Sequence, residues 1–164
     1  MRKRLVWFVV LAIMVLLATG GVATANQTTV TLTARLSGAQ EVPPADPDGS
    51  GKAVVEIDVE AGEVCFDVKI SDTGTPNRGH IHRGVAGVNG GIVVTFFELR
   101  IPPAEPGAPA SDPRNDALEE GRLQDCVPGD PAILAEIVAN PAGFYVNVHN
   151  ARYPGGNLRC QLEA

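Results

Sequence analysis

Three histidines and three cysteines carry most of the reactive chemistry in this 164-residue chain. His80 and His82 stand at i and i+2, so on a strand both rings face one side. A pair of neutral imidazoles at that spacing can bind copper or zinc. His149 lies far along the chain, in Tyr145-Val146-Asn147-Val148-His149-Asn150. On a neighbouring strand it would complete a three-His site with one open position. Three imidazoles brought together disfavour one another's protonation and stay neutral, hence available as ligands. The competing expectation is that the rings bond backbone oxygens and fix the Gly84–Gly91 and Tyr153–Gly156 loops. Arg83 and Arg159 flank the two histidine segments. Either they hold an anion or carboxylate there, or they pair with Glu41 or another acid as ordinary structural arginines.

Short strands must position these groups. Thr28–Leu36 alternates Val30, Leu32, Ala34 and Leu36 with threonines and Arg35, the period of a half-buried strand. Lys52–Val59 and Glu63–Ser71 alternate in the same way around Ala61-Gly62, which predicts a hairpin. Further strands are expected at Gly79–Arg83, Ile92–Leu99, Glu119–Val127, Phe144–Asn150 and Asn157–Glu163. Asp130-Pro131 reads as the N-cap and first residue of one short helix that stops at Asn140-Pro141. Five prolines over residues 100–117 point to an irregular, mobile loop. Seven or eight short strands with recurrent turns predict an all-β fold: an antiparallel Greek-key β-sandwich, immunoglobulin-like or superoxide dismutase-like.

Strand phase also sorts the cysteines. Cys65 lies on the outward phase, between Val64 and Phe66. Cys160 is in phase with Leu158 and Leu162 and points into the core, where a thiol packs as a small hydrophobe. The expected disulfide is therefore Cys65–Cys126, with Cys160 free.

An oxidising compartment is expected from the N-terminus. Arg2-Lys3-Arg4 precedes a 14-residue apolar run, Leu5–Ala18, and then Ala23-Thr24-Ala25. That is the layout of a signal peptide over residues 1–25, and the run falls short of the ~20 residues a spanning helix needs. No membrane span is expected after cleavage, and the product is secreted or extracellular, in the periplasm or at the cell surface. The chain carries a net charge of −6, with 13 basic against 19 acidic residues. The leader removes three basic residues and no acidic one, which leaves −9 on residues 26–164. That balance disfavours nucleic acid as a partner.

Three segments resemble a known family. Gly79–Gly90 (Gly-His-Ile-His-Arg-Gly-Val-Ala-Gly-Val-Asn-Gly) is similar to the signature of the CHRD domain, named from chordin. Tyr145–Arg159 resembles the family's second signature, and Leu36–Pro44 its N-terminal element. The resemblance runs from about Thr28 to Leu162 and implies an extracellular CHRD domain over residues 26–164. It departs from the pattern at Cys160, where the family usually has glycine. The implied function is a non-catalytic binding module for an extracellular protein or a small ligand. The alternative is a copper- or zinc-binding protein using His80, His82 and His149. The His-x-His pair also resembles, more weakly, the copper ligands of copper/zinc superoxide dismutase. That enzyme needs further histidines, including one that bridges two metals, and this chain has none left. A metal-dependent oxidoreductase therefore ranks behind both readings.

Overall fold

A computed structural model describes residues 29–99 and 113–164. The expected leader at residues 1–25, and most of the proline-rich segment, lie outside the described residues. Among the described residues eight strands form: β1 Thr29–Ser37, β2 Ser50–Asp58, β3 Glu63–Ser71, β4 Pro76–Arg83, β5 Ile92–Glu98, β6 Arg122–Pro128, β7 Phe144–Asn150 and β8 Leu158–Gln161. Every pairing is antiparallel, and all eight belong to one sheet in the order β5-β4-β7-β8-β1-β2-β3-β6. The sheet is nearly closed. Its end strands β5 and β6 come into contact, and Phe66 of β3 stacks on Phe96 of β5 with centroids 4.5 Å apart. The join between β8 and β1 is thin, one Ser37–Arg159 pair reinforced by a bridge between Thr33 and Glu163.

The inner face follows the period of two. Leu32, Ala34 and Leu36 of β1, Ala53, Val55 and Ile57 of β2, and Val64, Phe66 and Val68 of β3 are all buried in one core. Ile81, Val146, Val148, Leu158 and Cys160 extend that core across β4, β7 and β8. Burial of each large aliphatic or aromatic side chain contributes roughly 1.5–3 kcal/mol. Strand β5 departs from strict alternation. The register with β4 slips between Gly79 and His80 and again between Ile81 and His82. The first slip turns both Phe96 and Phe97 into the core, and the two irregularities fall immediately before His80 and immediately before His82.

Two α-helices form among the described residues, where a single one was expected. Helix α2, Pro131–Ala139, starts as the sequence predicts: the Asp130 carboxylate accepts from the Ala132 and Ile133 amides, and Pro131 takes the first turn. Its Leu134 and Ile137 are buried. Helix α1, Pro113–Glu119, corrects the reading of 100–117 as wholly irregular. Proline is tolerated in a first helical turn, where its missing N–H has no intrahelical partner. Leu118 anchors this helix in the core. The disulfide forms as expected, Cys65 to Cys126, directly opposite each other in the β3–β6 ladder. Cys160 is free and buried. No helix among the described residues is long and apolar enough to cross a membrane.

Candidate metal centre

Strand β4 lies between β5 and β7. Its register places His80 opposite Asn147 and His82 opposite Tyr145, while Arg78 faces His149. Residues 80 and 82 of one strand and 145, 147 and 149 of the other therefore share the face away from the apolar core. Arg159 joins them from β8, opposite Asn147. Outward phase ordinarily means solvent, yet all of these side chains are buried, with His80 and Arg159 each 1% exposed. Loop 84–91, the turn at 153–156 and the segment after β1 that carries Glu41 supply partners over this face.

The three rings meet. One nitrogen from each of His80, His82 and His149 lies within 4.8 Å of the other two. The partners of the remaining nitrogens fix the tautomers. His82 Nδ1 donates to the Gly90 carbonyl at 3.0 Å, and His149 Nδ1 to the Pro154 carbonyl at 3.2 Å. His80 Nε2 faces the Glu98 carboxylate at 3.3 Å. A carbonyl or carboxylate oxygen only accepts, so each of these outer nitrogens carries the proton. The inner nitrogens are then lone pairs. His80 Nδ1 and His149 Nε2 lie 3.3 Å apart, at hydrogen-bond distance when either carries a proton there, and His82 Nε2 is buried with no partner. Three ring nitrogens thus converge in a buried layer, one of them without a partner. Outer N–H groups bonded to oxygen are also the usual way a protein aims ligating imidazoles. Loop-fixing hydrogen bonds and a converging ligand set thus coexist, one at each edge of the rings.

Electrostatics keep the rings neutral. Burial lowers the affinity of all three for protons. Next to burial, the nearby His80 ring and the Arg78 guanidinium push His149 down to about 4. Arg159 adds its charge against protonation of His82.

Arg159 builds the roof of the site. Its guanidinium sits 3.5 Å from the Tyr145 ring centroid, and that ring stacks on His82 at 4.9 Å and 7°. The same guanidinium donates to the carbonyls of Val85 and Val88 and to Asn89 Oδ1. Tyr145 Oη accepts from the Gly90 amide, whose carbonyl holds His82. Arg159 is thus occupied by the loop, and the expectation of an acid pair holds for Arg83 instead, which pairs with Glu136 and lies over the Phe144 ring.

Glu41 belongs to the same layer. It is buried, its Oε2 accepts from Asn147 Nδ2 at 3.3 Å, and its Oε1 has no partner. Burial raises its pKa to about 7 against the opposing pull of Arg159 and the Asn147 hydrogen bond. Gly156, at φ 151°, makes room for it: a Cβ there would fall 2.5 Å from Glu41 Oε2. Asn147, Tyr145 and Glu98 were not singled out by residue type and spacing, and Glu41 only as an acid that Arg83 or Arg159 could pair with. Asn147 and Tyr145 share the phase of His149, a signal present in the sequence; Glu41 offers none at a separation of 106 residues from Asn147.

No curated protein and no solved structure matches the chain. The family model of the CHRD domain matches residues 32–162, a span that takes in every strand contributing to the histidine layer and the loops over it. The chain therefore belongs to the CHRD domain family.

Proposed function

We propose that this protein is a secreted, non-catalytic CHRD-domain binding module whose small ligand is a copper or zinc ion held by His80, His82 and His149. One observation carries the reading: three inner ring nitrogens converge within 4.8 Å, while every outer nitrogen has an oxygen acceptor. Secretion is supported by the leader-like residues 1–25 and by the Cys65–Cys126 disulfide. The non-catalytic role is supported by burial of all three rings under ordered loops. The three histidines leave none to bridge a second metal, so dismutase turnover above that of free copper is not expected. In the same reading the fold is taken as the sandwich expected from the strand pattern, with the Phe66–Phe96 contact between β3 and β5 in support.

The test is calorimetric titration of secreted, tag-free protein with Cu(II) and Zn(II), alongside His82→Ala and His149→Ala. One ion per chain at micromolar affinity or tighter is expected, with each variant weakened by about 100-fold. Binding of neither ion at micromolar concentration, or equal binding by both variants, removes the reading.

A further inference from the structure

We propose that Asn147 supplies a fourth ligand, an amide oxygen beside the three imidazoles, which makes the centre a closed three-nitrogen, one-oxygen site for a borderline dication such as Zn(II) or Cu(II). This inference rests on the three-His reading above and deepens it.

The pattern that defines each histidine recurs at Asn147. His80, His82 and His149 turn one polar atom outward to an oxygen acceptor and leave the other facing in. Asn147 does the same: its Nδ2 donates to Glu41 Oε2, and its Oδ1 is buried with no partner. An amide carbonyl left bare in a buried layer costs about as much as a lost hydrogen bond unless something fills it. Position agrees. Asn147 is directly opposite His80 in the β4–β7 ladder and two residues from His149 on the same face. Directly opposed residues hold their Cβ atoms about 4.5–5.5 Å apart, so one ion can bridge them. Glu41 then acts as a positioning residue. It takes the amide nitrogen, sets the flip of the side chain, and so aims the oxygen at the imidazoles.

Asn157 also has a buried, unpartnered Oδ1 on this part of the fold. Its amide nitrogen is tied to Thr73, however, and the edge of His149 towards its turn is the one occupied by Pro154. The inner nitrogen of His149 faces His80 instead. Asn157 is therefore the control, not the ligand. The donor set has a chemical consequence. Imidazole suits zinc and copper, and a neutral amide oxygen adds a harder donor without adding charge, so none of the four donors itself carries a negative charge.

The experiment compares Zn(II) affinity in the secreted protein, Asn147→Ala, Asn157→Ala and His82→Ala, with far-UV circular dichroism to verify folding. Asn147→Ala is expected to bind about 10-fold more weakly, with Asn157→Ala unchanged. A second measurement needs no variant: in wild-type protein, the side-chain carbonyl 13C resonance of Asn147 shifts on Zn(II) addition while that of Asn157 stays in place. Wild-type affinity in Asn147→Ala, or an unmoved Asn147 carbonyl in zinc-loaded protein, overturns the fourth ligand and leaves the three-His reading standing. Undiminished binding by His82→Ala overturns both.

Discussion

The two halves of the sheet treat their outer faces differently. On β1, β2 and β3 the inner positions are buried and the outer ones, such as Thr31, Arg35, Glu56 and Lys69, are exposed. On β7 all seven residues are buried, and on β8 three of four, although the outward positions carry Tyr145, Asn147, His149 and Arg159. A solvated outer face costs nothing to keep polar. A sealed one must satisfy each polar atom or leave it bare, at about 1–3 kcal/mol per bare group. This fold seals one half, spends much of its side-chain hydrogen bonding there, and still leaves His82 Nε2, Asn147 Oδ1 and Glu41 Oε1 unpartnered. Stability alone gives no reason for such an arrangement, since an apolar outer layer would pack without those losses. A ligand does.

The contrast can be broken at Arg159. Replacing it with Met leaves the Val88 carbonyl without its donor and the Val85 carbonyl with the Val88 amide alone, and removes the cation from the Tyr145 ring. Loss of about 3 kcal/mol in urea unfolding is expected, with amide exchange in residues 84–91 accelerated first. A change under 1 kcal/mol would mean that the roof of the site is not held by Arg159.

A pH titration sharpens the same contrast. The Glu41 pKa is raised from 4.5 in the unfolded chain to about 7, so between those values the folded state holds the extra proton. Stability from this group is full below pH 4.5 and falls as pH rises through 7. The histidines act in the opposite sense. Their lowered values favour the unfolded chain in acid, so their contribution is full above 6.5 and is lost as pH falls toward the His149 value of about 4. Comparing metal-free wild type with Glu41→Gln cancels the histidine part. The stability of wild type relative to the variant should drop between pH 5 and pH 8, and a difference that stays constant would place Glu41 in water.

The smallest effect belongs to the solvated half. Thr31→Lys, opposite Glu56 on the exposed face, should change unfolding free energy by less than about 0.5 kcal/mol. A larger loss would show that this face is covered too.

Much of this was legible in advance, for a definite reason. Alternation around Leu32, Val55 and Phe66 locates the inner face, and a strict period of two then places His80 with His82, and Cys65 away from Cys160. The pairing of Cys65 with Cys126 follows from that phase. Burial of the outward residues was not legible, because phase says which face a side chain takes and nothing about loops folded over it. Loop 84–91 reads as a glycine-punctuated connection, yet it supplies the acceptors for His82 and Arg159. Helix α1 was hidden by a proline that ends helices in their interior and opens them at their start. Glu41 meets Asn147 only through the strand order, which no local pattern encodes.

The β4–β7 pairing has a kinetic consequence. His80 and His149 are 69 residues apart, and nothing holds them together until those two strands align. A chain emerging from synthesis, or crossing a membrane unfolded, carries a His-x-His pair and a distant third ring, a poor chelator in either state. Closing so long a loop comes late and slowly in folding. On the proposed metal-binding reading, ion capture would follow folding, and a bound ion would add RT ln(1 + [L]/Kd) to the stability of the finished fold.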